Sequence, residues 1–540
     1  MDKRVRRSCL AIASILALTG CGTRDDVQEM PESKQPARTT PLHSERGGIG
    51  LLRSSGEKSQ MNAVVTVNTH RSLVVTDTAI VNNFSLREVM DQLATQSGVT
   101  GLTGLAIYRQ LWDTQNARPG INQGQHCNDQ LSPGGQPIFN SFPYLCRPQE
   151  GAQAGQDPFT NPNSLNAYKA IGLFNRFDLA PADGANCGEY RIVFSRRSGD
   201  TNFAQRNFMI FEAVLNNPHP EEGLDGCLPV AEFWHRLTNN ADLASRTALL
   251  KSFYFQGLPG GFRPVVHIDN YGADPFTVAG QIRTNQFMQS NWMLREFKLQ
   301  KACNNGVCTQ LKAILSTDKV NPFGGLFSPT STHARAADFR FFFATQVEAL
   351  ARQDINLFNM DVQDQFNGGQ SDAQGTENNY TFQFGSGTSA LRSLIDAELT
   401  RIGSPLTANH IVARAKALSC AGCHELSNSA DLGGGMQWPN SLGFTHISEQ
   451  TENGPEGTRF RISPALLNVF LPHRKAVLEE YLSRPRPCHN VCNPGNPIAT
   501  HCSTCASDVC AGDPFCCSGS WDVICVEQAQ DVCGVTCNTL

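Results

Sequence analysis

Three residues in the stretch ALSCAGCHELSN, numbers 417–428, are of types and at a spacing that can do chemistry: Cys420, Cys423 and His424, in the order C-x-x-C-H. Two thiols one helical turn apart can add across the two vinyl groups of a haem, and the adjacent imidazole then lies under the iron. The same two thiols can instead close a small disulfide. A thioredoxin-like redox pair would follow a strand and open a helix. Here LTANHIVARAKAL precedes the pair and reads as a helix, with Thr407 as cap and Ile411, Ala415 and Leu418 on one face. A structural zinc site would need further cysteine or histidine ligands close by. One covalent haem c per chain is the favoured expectation, with the disulfide as its alternative.

The residues that follow resemble the class I cytochrome c family. In that family a Gly-Pro-Asn-Leu type stretch comes after the attachment site, and its proline carbonyl accepts a hydrogen bond from the proximal histidine. MQWPNSLGF stands at that place here. The resemblance implies Cys420 and Cys423 as the thioether residues, His424 as the proximal ligand, and Pro439 as the carbonyl that fixes its tautomer. RKAVLEEYLSR carries Val477, Leu478, Tyr481 and Leu482 on one side and corresponds to the family's closing helix. The resemblance covers about 407–485 and departs from the pattern at the distal side, because no methionine follows Met436. His446 in GFTHISE is the first choice as sixth iron ligand, Met436 the second, and an open distal face the third. A structural histidine is the plainer reading of His446. Two imidazoles would favour electron transfer, whereas an open face would admit oxygen or peroxide. Arg459 and Arg461 are candidates to pair with haem propionates.

The start of the chain says where such a group would live. MDKRVRRSCLAIASILALTGC has a basic opening and an apolar run, Leu10 to Leu18, too short to span a bilayer, and it reads as an export signal. Its end resembles the lipobox of bacterial lipoproteins, which implies that Cys21 is lipidated and becomes the mature N-terminus. Residues 1–21 are thus expected to be a signal peptide and 22–60 a disordered tether, poor in large apolar side chains. Gly22 after the cysteine implies delivery to the outer membrane. The expected location is a lipoprotein there, facing the periplasm or the cell surface.

Residues 61–400 read as one α+β body. SLRE from Ser85 opens a helix with a capping serine and a returning glutamate, and Leu86, Val89, Met90, Leu93 and Ala94 share a face. EYRIVF alternates Tyr190, Ile192 and Phe194 against Glu189 and Arg191, and NFMIFEAV, PVVHIDNY and NWMLREFKL also read as strands. ARAADFRFFFATQVEALAR returns to helical spacing. Nucleophile-elbow, zinc-helix and phosphate-loop motifs are lacking. His267 with Asp269 could form an acid/base pair, though same-face strand residues are the commoner explanation. Asp361, Asp364 and Asp372 offer hard oxygen ligands without EF-hand spacing.

Of 20 cysteines, six lie between Cys127 and Cys308 and ten from Cys488 onward. Even groups in an exported chain read as disulfides. The tail, 488–540, is too small for a hydrophobic core of its own and should be stapled by five disulfides. It resembles C-terminal modules marked by D-P-x-C-C and W-D-x-x-C in large exported proteins of some Gram-negative bacteria, through Asp513, Pro514, Cys516, Cys517, Trp521, Asp522 and Cys525. Zinc on Cys502 and Cys505 with His489 or His501 is the alternative there.

The expected architecture is a large α+β body, a small all-α cytochrome c-like domain at 405–485 and a disulfide-rich C-terminal module. The expected function is one-electron transfer with an unspecified redox partner protein. A non-catalytic adhesion or scaffold lipoprotein and a peroxidase-like haem oxidoreductase are the competing readings. A net charge of −5 over 540 residues gives no sign of nucleic-acid binding. The membrane contact expected is the lipid on Cys21.

Overall fold

The computed structural model describes residues 65–272, 279–289, 291–484 and 489–537. The expected export signal, Cys21 and the tether to Gln60 lie outside the described residues. Among the described residues, no helix is long and apolar enough to cross a membrane.

Helix α1 (Leu86–Gln96) begins where capping chemistry places it, with Ser85 Oγ accepting from the Glu88 amide at 3.1 Å, and it buries Leu86, Val89, Met90, Leu93 and Ala94. An eight-stranded antiparallel sheet forms the centre. Its strands are β1 (Val74–Val75), β2 (Tyr168–Arg176), β3 (Asn186–Arg196), β4 (Asn207–Asn216), β5 (Gln281–Gln286), β6 (Met293–Asn304), β7 (Val307–Ser316) and β8 (Ser371–Asp372). They follow one another as a meander from β1 to β6, and β6 then pairs with both β7 and β8.

The two faces of this sheet differ, because strand side chains alternate. Tyr190, Ile192 and Phe194 of β3 join Phe211 of β4 and Ile282 of β5 in the main core. Helices α2 (Leu228–Asn239) and α3 (Leu243–Phe255) add Trp234 and Phe253 to that core, the first stacked on Tyr190 and the second edge-on to it. The opposite face carries Arg191, Glu212, Arg283 and Glu296, aligned by the registers Arg191↔Glu212, Ile210↔Arg283 and Arg283↔Glu296. Both faces are covered, so this charged face is buried rather than solvated.

Two expected elements differ in the structure. PVVHIDNY is not a strand: His267 caps a 3-10 turn, Ile268–Tyr271, by accepting from the Asp269 amide. Asp269 pairs with Arg263 and Lys301, so the His267–Asp269 pair is part of a surface charge cluster. The helical run 334–352 is split into Ala336–Ala344 and Val347–Leu350.

The segment 405–485 is not an all-α unit. It holds helix α4 (Ala408–Leu418), a hairpin of β9 (Ile447–Gly454) and β10 (Gly457–Ile462), and helix α5 (Leu471–Leu482). The hairpin follows from the alternating Thr458, Phe460 and Ile462 of β10, of which Phe460 is buried. One continuous hydrophobic core runs from Val67 to Tyr481, so these elements complete the body.

The tail has a second core, centred on Trp521, Cys516, Cys517 and Cys525. Disulfides Cys492–Cys537, Cys505–Cys533, Cys510–Cys517 and Cys516–Cys525 staple it, and Cys502 is also disulfide-bonded. Thiols tied up in this way are not zinc ligands. The body carries Cys127–Cys146, Cys187–Cys227 and Cys303–Cys308.

Candidate functional site

Helix α4 delivers the C-x-x-C-H segment. Thr407 and His410 cap it reciprocally: Thr407 Oγ1 accepts from the His410 amide at 3.3 Å and His410 Nδ1 from the Thr407 amide at 3.2 Å. The buried Arg414 anchors the helix by donating to the carbonyls of Leu432 (2.7 Å), Leu350 (2.8 Å) and Arg352 (2.8 Å). Past Leu418 the chain tightens around Ser419, whose Oγ accepts from the Gly422 amide at 3.1 Å and whose carbonyl accepts from the Cys423 amide at 2.8 Å. A wide turn, Gly422–Leu426, then presents His424.

Cys420 and Cys423 are buried and form no disulfide with each other. The other described cysteines are all disulfide-bonded. Cys420 and Cys423 face different surroundings. Cys420 packs with Trp292, Leu294, Ala373 and Ala421, while Cys423 borders a cavity.

His424 Nδ1 lies 3.0 Å from the Phe444 carbonyl, and its ring sits 5.1 Å from that of Trp292. Donation from Nδ1 to a backbone carbonyl puts the ring proton on Nδ1 and the lone pair on Nε2. The carbonyl that does this belongs to Phe444, five residues beyond Pro439. Phe444 itself has φ +65°.

His446 stands beside His424, with ring centroids 4.9 Å apart. Two imidazoles on opposite faces of one metal stand farther apart, roughly 6 Å between ring centres given metal–nitrogen bonds of about 2 Å each. The His446 ring is held between Cys423 Sγ at Nε2 (3.2 Å) and Ser463 Oγ at Nδ1 (2.9 Å). Met436 sits in the turn after Leu432, packed on the main core, and is not among the residues of the cavity wall. Arg459 pairs with Glu452, and neither Arg459 nor Arg461 reaches the cavity. Asp361, Asp364 and Asp372 do not gather: the Asp372 carboxylate instead accepts from the amides of Gln374 (2.8 Å) and Gly375 (2.9 Å).

The cavity measures about 120 Å³ and lies between Cys423, His424 and His446 on one side and the charged face of the sheet on the other. Its wall combines apolar Val193, Phe208, Ile210, Leu294 and Phe470 with charged Arg176, Arg191, Arg283, Arg474, Asp178 and Glu212. His473, from the first turn of α5, also borders it. Arg283 bridges Glu212 (3.1 Å) and Glu296 (2.6 Å), and Arg191 bridges Glu189 and Glu212. Behind them Asp318 is fully buried, and burial followed by the nearby Glu296 pushes its carboxyl well above the usual range. Burial holds the His473 imidazole below its ordinary value.

The sheet's contribution to this cavity is what the sequence reading missed. The signal was present in EYRIVF, whose charged alternation reads as solvent-facing until the 420–474 segment is seen to cover it.

A family model described as a domain of unknown function, DUF8252, matches residues 486–537, the disulfide-stapled tail. No curated protein and no solved structure matches the chain.

Proposed function

We propose that the chain carries one covalent haem c on Cys420 and Cys423, with His424 Nε2 as the proximal ligand, and serves one-electron transfer. The observation that carries the reading is the pair of cysteines outside the disulfides, in C-x-x-C-H spacing, beside a histidine whose Nδ1 meets the Phe444 carbonyl. The cavity adds support, since its lining offers apolar side chains for a macrocycle and guanidinium groups, each paired with carboxylates, for an acidic edge. When bound, a haem c supplies a one-electron couple whose potential follows its axial ligands and burial. The chain's own residues orient the imidazole through Phe444 and place Trp292 beside it, and Arg176, Arg191, Arg283 and Arg474 would be the groups to meet an acidic edge. Cys420 lies outside the cavity wall, so engagement of both thiols requires the Trp292 ring to turn aside.

On this reading the chain is exported, lipid-anchored through Cys21 to the outer membrane, and exchanges electrons with a partner protein. The test is the pyridine haemochrome spectrum of protein made with the cytochrome c maturation machinery, beside a Cys420→Ala/Cys423→Ala variant. A c-type signal that vanishes in the variant supports the reading. A haem-free matured parent sinks it and leaves a disulfide-rich surface lipoprotein for adhesion or scaffolding.

A second reading, a peroxidase-like haem oxidoreductase, is favoured by one observation: neither His446 nor Met436 stands across from His424. An open sixth position admits small ligands. Carbon monoxide binding to the reduced protein separates this reading from a six-coordinate electron carrier.

A further inference from the structure

Arg196, the last residue of β3, lies on the face of the sheet that carries Ile192 and Phe194, directly opposite Tyr168 in the β2–β3 register. It is 4% exposed, and its guanidinium meets only neutral oxygens: Ser198 Oγ at 2.6 Å, Gln156 Oε1 at 3.3 Å and Asn166 Oδ1. Among the described residues no carboxylate pairs with it, whereas the buried Arg147 pairs with Glu150 at 2.6 Å and Arg176 with Asp178 at 2.9 Å. The Arg196 Nε–H is buried and has no acceptor. Three further donors adjoin it through Tyr168. The Tyr168 hydroxyl donates to Gln153 Oε1 at 2.9 Å, and Nε2 of the same Gln153 amide has no hydrogen-bond partner. The Tyr108 ring stands edge-on to Tyr168 at 6.1 Å and to Trp112 at 6.2 Å, and neither the Tyr108 hydroxyl nor Trp112 Nε1 has a hydrogen-bond partner. Gln153, Tyr108 and Trp112 are fully buried. Burial pushes the Tyr108 hydroxyl far above its ordinary value, with Tyr168, Arg196 and Trp112 offsetting part of the rise, so this group keeps its proton and stays a donor.

We infer that Arg196, Gln153, Tyr108 and Trp112 form a buried binding site for a small monovalent anion. A guanidinium taken out of water is costly unless a counter-charge meets it, and the chain supplies none here. The groups left over are N–H and O–H donors, the set that an anion's lone pairs satisfy. One guanidinium balances one negative charge, so the ligand is monovalent. Water could accept from any single donor, but it would leave the guanidinium uncompensated, and that charge is what selects an anion. Gln156 and Asn166, which hold Arg196 from its other side, are half-buried and give the site its edge toward solvent. Strand side chains alternate, so Arg196 points away from the sheet face on which Arg191 and Val193 border the cavity. The site is therefore independent of the haem reading.

The test uses chloride as probe on the full chain made without haem maturation. Binding is read by the linewidth of the chlorine NMR signal and by the thermal midpoint in chloride against gluconate at equal ionic strength. The parent should broaden the chloride signal, bromide should reverse the broadening, and chloride should raise the midpoint as any ligand of the folded state does. Trp112→Phe, which keeps a ring and removes the N–H, should weaken chloride binding about threefold to tenfold. Gln153→Glu brings a carboxylate to Arg196 from within the chain. It should abolish the broadening and the chloride dependence while its midpoint in gluconate stays at or above the parent's, which shows that the variant is folded. A parent whose midpoint is the same in both salts and whose linewidth matches that of Gln153→Glu overturns the inference. Chloride binding that survives unchanged in both Trp112→Phe and Gln153→Glu also overturns it, because the anion then sits elsewhere.

Discussion

Arg206 and Glu449, 243 residues apart in the chain, meet through two hydrogen bonds of 2.6 and 2.7 Å, and each side chain is 1% exposed. Arg206 immediately precedes β4, and Glu449 lies in β9. The same guanidinium donates to the Gly443 carbonyl at 2.9 Å and lies over the Phe203 ring at 4.3 Å. It therefore fastens to the sheet the loop that bears both Phe444, whose carbonyl meets His424, and His446. A buried ion pair is paid for in desolvation, and its value here is the register it sets between loop and sheet.

Removing one partner should be costly for that reason. Arg206→Ala leaves Glu449 buried without its cation, and the expected loss is about 3–5 kcal/mol of unfolding free energy. Replacing both together, as Arg206→Met/Glu449→Leu, should recover most of it. Urea unfolding of the three proteins decides the matter, and a single variant as stable as the parent would show that the pair does not hold the loop.

Much of the sheet was legible because its strands obey a simple rule. Tyr190, Ile192 and Phe194 alternate with charged neighbours, and β3 forms around them. Helix α4 was legible through Thr407 and its apolar face. What one chain could not show was contact across long separations. Nothing local to Arg191, Arg283 or Arg474 says that they meet around a shared cavity, since the nearest-neighbour sequence of each is that of an ordinary strand or helix surface. The same holds for the carbonyl on His424: a proline stretch pointed to Pro439, whereas the Phe444 carbonyl meets the ring. The expected all-α unit failed on comparable grounds, because β9 and β10 gain their second face only from the body.

The state of the two thiols can be counted. Chain made without haem, denatured without reductant and treated with iodoacetamide, should gain label at Cys420 and Cys423 while the three body disulfides and the described tail disulfides stay unlabelled. Peptide mapping reads the positions. Label absent from both would reveal a Cys420–Cys423 disulfide.

Gly422 offers a steric test of the attachment turn. A Cβ at this position would come within 1.6 Å of the Lys416 carbonyl oxygen and 2.5 Å of its carbon. Backbone cannot yield as a flexible side chain would, so Gly422→Ala must open the turn that sets the spacing of the two cysteines. The expected destabilisation is about 3 kcal/mol. Thermal unfolding of the unmatured chain checks it, and an unchanged midpoint would mean that the turn has room.

His473 gives a pH dependence with a definite sign. Burial lowers the affinity of its imidazole for protons, partly offset by Asp178 and Asp354. Above its ordinary value of about 6.5, neither the folded nor the unfolded chain holds this proton and its contribution is full. As the pH falls through 6.5 the unfolded chain takes up a proton that the folded chain refuses, and stability is lost. His70, His235 and His267 act in the same direction. Glu377, which burial pushes up to about 7, acts in the opposite one. Comparison with a variant isolates the single term: His473→Gln should lose less stability than the parent between pH 7.5 and 5.5 in urea titrations. Parallel curves for the two proteins would show that the imidazole is equally basic folded and unfolded.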